Sequence, residues 1–335
     1  MRNIQDQFLR TFLIIHKLKR STIANVKGIN FQSLIDRSKI GPTIITEYFS
    51  DGSLKNKLSR ENNFIDSNWN STQKHITLGI ADAMRYLHHN QIYHLDLKPE
   101  NILFDNKFYP HVCDYGLSAC FPQIFKNSID LAMKSEINSL LYTSPELLSG
   151  EESSNQASDI YSFAFLAFSI VTEKVPFYNH DTSITSPDFI HKIKLDYRPI
   201  FTDDFTKKMR ELISRCWSPK VEDRPSFDEI FEQLSTDFSY FKETVDHNSI
   251  QHYLNQLSCE EGKGGNNENN TQKDEIQKCI QKVDKPQNDS EKVDDLKKSN
   301  IDYVTAIHAL HGNERERNSK QAFLSLKKSS EEGRR

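Results

Sequence analysis

Residues 92 to 105 read Ile-Tyr-His-Leu-Asp-Leu-Lys-Pro-Glu-Asn-Ile-Leu-Phe-Asp. Asp96 stands five positions before Asn101, Lys98 lies between them, and apolar residues flank this cluster on both sides. The pattern predicts a loop between two short buried strands that presents a carboxylate, an ammonium and an amide to one cavity. Phosphoryl transfer uses such a set: a carboxylate that accepts a hydroxyl proton, a cation near the transferred phosphate, and an amide oxygen for Mg²⁺. An exposed turn is the alternative, because charged residues mostly lie on surfaces.

The stretch resembles the catalytic loop of the eukaryotic protein kinases, which reads H-R-D-L-x-x-x-N. His94, Asp96, Lys98 and Asn101 fall in register, and Leu95 stands where most kinases have Arg. The resemblance implies that Asp96 positions the substrate hydroxyl, Lys98 stabilises developing charge and Asn101 holds Mg²⁺, with His94 in a structural role. Arg at position 95 would usually pair with an activation-segment phosphate, so we expect any activity to be independent of phosphorylation there.

Positions 112 to 116 read Val-Cys-Asp-Tyr-Gly, which places Asp114 thirteen residues after Asn101. They resemble the kinase D-F-G motif, with Tyr in place of Phe. A carboxylate whose backbone is freed by a following Gly suits Mg²⁺, which prefers hard oxygen ligands. The resemblance implies that Asp114 binds Mg²⁺ and ATP and that Gly116 is structural. Taken alone, a D-x-G sequence is usually a turn.

Residues 139 to 146 read Ser-Leu-Leu-Tyr-Thr-Ser-Pro-Glu and resemble the T-x-x-Y-x-A-P-E close of a kinase activation segment. The resemblance implies that Ser139 bridges Asp96 and Lys98 and that Glu146 pairs with Arg224. Burying either charge of that pair alone would be costly. The presence of both partners therefore indicates a retained large lobe.

Asp159 opens a segment that is apolar nearly all round, as expected of a completely buried helix. It resembles the central helix of the kinase large lobe, where an Asp carboxylate anchors the backbone of the catalytic loop. Helical periodicity also predicts helices over residues 71–90, 205–216 and 227–234. We expect a complete large lobe that ends near residue 240.

Upstream, apolar residues recur at steps of three and four over residues 3–18, which predicts an amphipathic helix. Residues 23–28 and 43–48 are rich in β-branched side chains and predict two strands, with Gly41 and Pro42 as the turn between them. This order resembles helix C and the fourth and fifth strands of a kinase small lobe.

The same resemblance assigns ATP contacts. Thr46 would be the gatekeeper, residues Glu47 to Phe49 would form the hinge whose backbone binds adenine, and Leu103 would form the floor beneath it. An ordinary edge strand and turn is the alternative at Thr46, Glu47 and Phe49, and a plain core role is compatible with Leu103.

A kinase small lobe also contains a Gly-rich loop over the phosphates and a strand-three Lys paired with a helix-C Glu. We find neither the loop nor the Lys in this sequence, and Thr11 occupies the register of the Glu. We therefore expect a truncated small lobe. Two interpretations stay open beside an active kinase: a catalytically inactive scaffold, or an incomplete copy of a longer, active kinase.

The C-terminal third changes character. Residues 241–257 extend the last helix by their apolar spacing, and residues 258–299, rich in Gly, Asn, Lys and Asp, predict a disordered linker. Residues 300–335 resemble one helical hairpin of the Sel-one-like, tetratricopeptide-related repeats, which implies protein partners. A plain amphipathic helix is the alternative.

Composition narrows the class of protein. Apolar residues make up 36% of 335 and the mean hydropathy is −0.66, so part of the chain is not expected to pack. The net charge of −4 comes from 43 basic and 47 acidic residues that are intermixed, so neither nucleic acid nor a membrane is an expected partner.

The five cysteines are never spaced C-x-x-C, which indicates neither a disulfide framework nor a zinc site. The N-terminus has no apolar signal region, and the longest apolar run, residues 160–171, is too short to span a bilayer. We expect a cytoplasmic protein.

Taken together, we predict an α+β, protein-kinase-like fold over residues 1–240, with a partial small lobe and hinge over 1–53 and a helical large lobe over 54–240. Lys98 with Pro99 and Glu100 resembles serine/threonine kinases, while the hinge and the region around Trp217 resemble the tyrosine-kinase-like group. The implied activity transfers the γ-phosphoryl group of ATP to serine or threonine hydroxyls of protein substrates, with Mg²⁺ as the metal.

Overall fold

The computed structural model describes residues 12, 14–32, 40–58, 69–116, 140–149, 156–177, 185–242 and 246–263. The chain divides into two compact units. Of the described residues, the first unit contains 12, 14–19, 24–32 and 40–50, and the second contains 20–23 and everything from 51 onward. Thr11, Ser139, the linker from residue 264 and the predicted hairpin over 300–335 lie outside the described residues.

The first unit is built on an antiparallel pair of strands, β1 (Val26–Gln32) and β2 (Ile40–Thr46). Val26 pairs with Thr46 and Gln32 pairs with Ile40. Before β1, residues 12, 14 and 15 are helical, and the amide of His16 donates to the carbonyl of Phe12 at 2.9 Å. Phe12 and Ile15 of the predicted amphipathic helix are buried there.

The predicted bounds of these strands are corrected by the structure. β1 begins and ends later than residues 23–28, and β2 begins and ends earlier than residues 43–48. Gly41 and Pro42 lie inside β2 and do not form the turn. The pairing changes register between Asn30 and Gln32, opposite this dipeptide. Proline has no amide proton for the ladder and is tolerated in a strand at such irregularities.

The second unit is mainly helical. Its described helices are α1 (Leu54–Leu58), α2 (Trp69–His89), α3 (Pro145–Leu148), α4 (Gln156–Thr172), α5 (Ser186–Lys194), α6 (Lys207–Cys216), α7 (Phe227–Thr236) and α8 (His247–Lys263). A small antiparallel sheet joins β3 (Ile102–Phe104) to β4 (Pro110–Val112). The architecture is mixed α+β, as predicted, with a two-stranded sheet in each unit.

Two helices form the centre of the second unit. The predicted stripe on α2 is buried, since Ile76, Ile80, Met84 and Leu87 are at most 2% exposed. Helix α4 is buried on nearly every side from Ser158 to Ile170, which fits its apolar composition.

Short polar side chains define the starts of three outer helices. The hydroxyls of Thr185, Thr206 and Ser226 each accept a hydrogen bond from an amide in the first turn of α5, α6 and α7. Such caps satisfy amides that have no partner inside the helix. The caps separate these helices from the segments before them.

Helix α8 extends further than expected. It runs from His247 to Lys263, so it continues six residues into the region 258–299 that was predicted to be a disordered linker. Leu257 is buried at 1% exposure, and the Glu260 carboxylate accepts a hydrogen bond from the amide of Ser21 at 3.0 Å. The burial of Leu257 and the hydrogen bond of Glu260 stabilise the last turns of the helix. Neither can be predicted from local composition. In the part of the chain that the structure describes, no helix is long and apolar enough to cross a membrane.

Candidate active site

The candidate catalytic loop is held between α2 and β3. After α2 ends at His89, the chain passes through an irregular segment to a short 3₁₀ turn, Pro99–Asn101, and enters β3 at once. Pro99 fits the first position of this turn, where an amide proton would have no partner. The prediction of short buried strands on both sides of this loop is wrong on the N-terminal side: strand β3 follows the loop, whereas α2 and an irregular segment precede it.

A buried carboxylate on α4 fixes the start of the loop. The Asp159 carboxylate is fully buried and accepts hydrogen bonds from the amides of His94 at 2.9 Å and Leu95 at 2.6 Å. Nε2 of His88, on α2, lies 2.9 Å from the same carboxylate. Asp159 therefore ties the loop to both central helices.

The backbone at Leu95 adopts a conformation that this contact has to support. Its φ is +62°, in the left-handed region that costs an L-residue other than glycine about 1–2 kcal/mol. Asp114 has a φ of +60°, although aspartate tolerates that region better than leucine does. Such conformations persist only where surrounding contacts impose them, and they concentrate at functional sites.

The predicted catalytic side chains meet in the loop. Lys98 Nζ lies 2.9 Å from Oδ1 and 2.7 Å from Oδ2 of Asp96. The side-chain Nδ2 of Asn101 donates to the backbone carbonyl of Asp96 at 2.8 Å. The Asn101 side-chain oxygen is thereby turned away from the loop carbonyl. The three side chains form one cluster, as the spacing predicted.

The charge of Lys98 is stabilised where it stands. Burial alone would lower its pKa, but Asp96, Glu100 and Asp114 together raise it above the ordinary value. The ammonium therefore stays protonated at neutral pH. The Asp96 side chain remains 48% exposed, so its carboxylate is open to a group arriving from solvent.

Cys113 connects the loop to the Asp-Tyr-Gly segment through its main chain. Its amide donates to the Asn101 carbonyl at 2.9 Å, and His94 Nε2 lies 2.9 Å from its carbonyl oxygen. Complete burial raises the pKa of the Cys113 thiol well above its usual value, with Asp114 and Asp96 adding to the shift. The thiol is thus unreactive, and the residue acts through its backbone.

The side chains present fit a magnesium site. Asp114 is half-buried directly after Cys113, and Gly116, with a φ of +76°, allows the tight turn at residues 115 and 116. The Asp114 carboxylate and the oxygen of the Asn101 side-chain amide supply hard oxygen atoms from two segments that Cys113 holds together. Among the described residues no group of three or more His, Cys, Asp or Glu could hold a metal alone. Mg²⁺ often needs only one or two carboxylates because substrate phosphates complete its shell.

The pair predicted between Glu146 and Arg224 is present and buried. Arg224 donates to the two oxygens of Glu146 at 2.7 and 3.2 Å, and the Ser158 hydroxyl donates to Glu146 at 2.9 Å. Burial would raise the pKa of Glu146, but the hydrogen bonds and the charge of Arg224 lower it below the usual value. The pair joins α3 to the segment that precedes α7.

Comparison of the sequence with protein-family models identifies the family of this chain. The protein kinase domain family matches residues 2–235. The chain belongs to this family.

Three relatives show the range of proteins that carry a similar domain. Human retinal guanylyl cyclase 2 is 31% identical over 265 residues, which cover 77% of this chain and 22% of that protein. Human receptor-interacting serine/threonine-protein kinase 1 is 32% identical over 243 residues, or 68% of this chain and 34% of the relative. Serine/threonine-protein kinase VIK of Arabidopsis thaliana is 32% identical over 237 residues, or 69% and 50%. The aligned part is half or less of each relative.

The kinase fold therefore stands, and proteins of this family generally use ATP and Mg²⁺. The assignment to the tyrosine-kinase-like group and to a Sel-one-like repeat stays a prediction, as do the predicted domain bounds.

The predicted hinge residues belong to the first unit of the kinase domain. Thr46 ends β2 and is 8% exposed, and its hydroxyl donates to the Glu47 carbonyl at 3.2 Å. The Glu47 carboxylate accepts from the amide of Asn25 at 2.8 Å, so this side chain braces the strand pair. Phe49 is half-buried. In the second unit, Leu103 lies in β3 and is 8% exposed. Their ATP contacts stay predictions.

Two contributors to the site were not predicted from sequence. His88 lies on the helical stripe of α2, and the sequence around it does not identify its partner 71 residues later on α4. Cys113 acts through main-chain atoms, which leave no trace in residue identity. A signal existed only for His88, as a polar residue at a buried helical position.

Proposed function

We propose that this chain is a protein serine/threonine kinase, which transfers the γ-phosphoryl group of ATP to hydroxyls of protein substrates. One observation carries the proposal: Asp96, Lys98 and Asn101 form a single cluster, and Cys113 joins that cluster to Asp114. Phosphoryl transfer depends mainly on positioning and on charge stabilisation, and this arrangement supplies both.

Each side chain has a task that its surroundings support. The exposed Asp96 carboxylate accepts the hydrogen bond of the substrate hydroxyl and orients it toward the phosphate. Lys98 keeps its positive charge and stabilises the negative charge that develops during transfer. Asn101 and Asp114 provide the oxygen ligands for Mg²⁺, which neutralises phosphate charge when bound.

The hydroxyl specificity rests on sequence and on relatives. Lys98, Pro99 and Glu100 resemble serine/threonine kinases, and relatives at about 30% identity are named as serine/threonine kinases. The finer assignment to the tyrosine-kinase-like group is part of the proposal. So is ATP binding through Thr46, the hinge from Glu47 to Phe49, and Leu103.

A scaffold without catalysis is the second candidate. A domain over 30% identical to most of this chain occurs in a relative named as a guanylyl cyclase and not as a kinase. Similarity over the domain is therefore compatible with a role other than phosphoryl transfer. Measurement on this chain has to separate the two candidates.

The test is ATP binding to the full chain by calorimetry, with and without Mg²⁺. We expect Mg²⁺-dependent binding that Asp114→Asn abolishes and that the control Asp203→Asn, at a fully exposed carboxylate, leaves unchanged. A phosphorylation assay on a generic protein substrate then compares the wild type with Asp96→Asn, which should lose about 10³-fold or more in rate. Binding without phosphorylation would favour the scaffold, and no binding at millimolar ATP would reject the kinase proposal for this chain.

A further inference from the structure

Helix α8 lies beyond residue 235, where the match to the kinase domain family ends. Ile250, Tyr253 and Leu257 form a stripe on it that is at most 3% exposed. The amide of Asp246, just before the helix, donates to the hydroxyl of Ser71 on α2 at 2.7 Å. The helix is thus packed into the second unit.

The middle of α8 packs against the start of β4. The Tyr253 ring stacks on Tyr109, with ring centres 4.5 Å apart and planes 20° apart. A Cβ added to Gly79 would lie 2.4 Å from Pro110 and 2.5 Å from the Tyr253 hydroxyl oxygen. Glycine at position 79 therefore lets α2, β4 and α8 approach one another closely.

The end of α8 contacts residues 20–23, the segment that pairs with the end of β4. The Glu260 carboxylate accepts from the amide of Ser21 at 3.0 Å. In the same segment the carbonyl of Thr22 accepts from the amide of Val112 at 2.9 Å, and Ile23 forms a parallel bridge with Val112. Arg20 is anchored to the fully buried Asp82 by hydrogen bonds of 2.6 and 2.8 Å.

These contacts converge on a strand of three residues that ends two positions before Asp114. We propose that α8 is a positioning element for Asp114: Tyr253 holds the start of β4, and Glu260 holds the segment 20–23 that pairs with its end. The inference rests on the proposed function, because it concerns the Mg²⁺ ligand of that site.

Hydrogen exchange of the full chain tests the inference without relying on activity. Tyr253→Ala should speed exchange of the amides of residues 111–114 by about tenfold, the factor that corresponds to about 1.4 kcal/mol, while α4 amides keep their rates. Tyr253→Phe should keep the wild-type rates, because the hydroxyl has no hydrogen-bond partner among the described residues and the ring alone makes the stack. Glu260→Gln, at a partly exposed position, should give a smaller acceleration of the same amides without threatening the fold.

Calorimetry supplies the second readout. Tyr253→Ala should raise the Mg²⁺ concentration needed for half-maximal ATP binding by severalfold, and Tyr253→Phe should not. Unchanged exchange in residues 111–114 would overturn the inference, since α8 would then have no effect on this segment. An equal rise in α4 would also overturn it, since α8 would then stabilise the whole unit. If the wild type binds no ATP, the proposed function fails, and the exchange rates still decide whether α8 positions this segment.

Discussion

Replacing Asp159 by asparagine should loosen the catalytic loop. The substitution keeps the size of the side chain and one oxygen acceptor, but it places an amide group where the second oxygen was. Three groups lie against that carboxylate: the amides of His94 and Leu95, and His88 Nε2. At least one of them will face a donor in the variant, so a buried hydrogen bond is lost and a repulsion takes its place.

The magnitude follows from burial and charge. A hydrogen bond to a charged group contributes about 1.5–3 kcal/mol, and a buried donor left without its partner costs about 1–3 kcal/mol. Release of Leu95 from its left-handed conformation returns about 1–2 kcal/mol. We therefore expect Asp159→Asn to lower the free energy of unfolding by about 2–4 kcal/mol and to reduce phosphorylation activity far more than it reduces ATP binding.

Denaturant unfolding of Asp159→Asn and the wild type measures the change in the free energy of unfolding. Asp228→Asn, at the partner of the neighbouring His89, is the matched control. His89 Nε2 lies 2.9 Å from Asp228, the same distance as in the His88–Asp159 contact, but both side chains are about half exposed. Asp228→Asn should cost at most about 1 kcal/mol, because exposed ion pairs contribute little. Equal losses in the two variants would refute the argument that burial at Asp159 fixes the loop.

Three further predictions concern the second unit. Glu146→Gln should lower the free energy of unfolding by about 3 kcal/mol or more because it leaves the charge of the buried Arg224 uncompensated; a denaturant midpoint like that of the wild type would contradict this. Gly79→Ala should destabilise by about 1–3 kcal/mol in thermal denaturation, although alanine favours helices, because its Cβ would overlap Pro110; a rise in melting temperature would contradict the packing. Burial lowers the pKa of Lys74 from 10.5 to about 8 in the folded protein. Between pH 8 and 10.5 the unfolded state therefore keeps a proton that the folded state has lost. The free energy of unfolding should accordingly rise by about 3 kcal/mol from pH 8 to 10.5. The difference between the wild type and Lys74→Met, measured by denaturant unfolding across that range, should show this slope, and a flat difference would refute it.

The candidate site could be predicted from sequence where its parts are close along the chain. Asp96, Lys98 and Asn101 lie within six residues, and their cluster follows from the short loop that carries them. The Glu146–Arg224 contact spans 78 residues, and the cost of burying either charge alone shows only that each needs a partner, not which one. The resemblance to kinases supplied the pairing that periodicity cannot.

Other features depend on contacts that residue types do not reveal. Gly41 and Pro42 read as a turn, but a change of register in the opposite strand accommodates them inside β2. The last turns of α8 read as linker because residues 258–263 are polar, whereas the Glu260 contact with a distant backbone amide holds them. Such long-range contacts override local propensity, which is a weak guide to the bounds of an element.

The main chain explains why this loop accommodates an unusual residue at position 95. Asp159 binds the amides of residues 94 and 95, and Cys113 meets the loop through its amide and carbonyl. Every residue except proline has these groups, so the identity of the side chain at position 95 does not decide the geometry around Asp96. Leucine there removes the cation that would pair with a phosphate on the activation segment and leaves the hydrogen bonds of the loop in place. We therefore still expect any activity to be independent of phosphorylation in the activation segment, and the arrangement of the proposed catalytic groups does not depend on the residue at position 95.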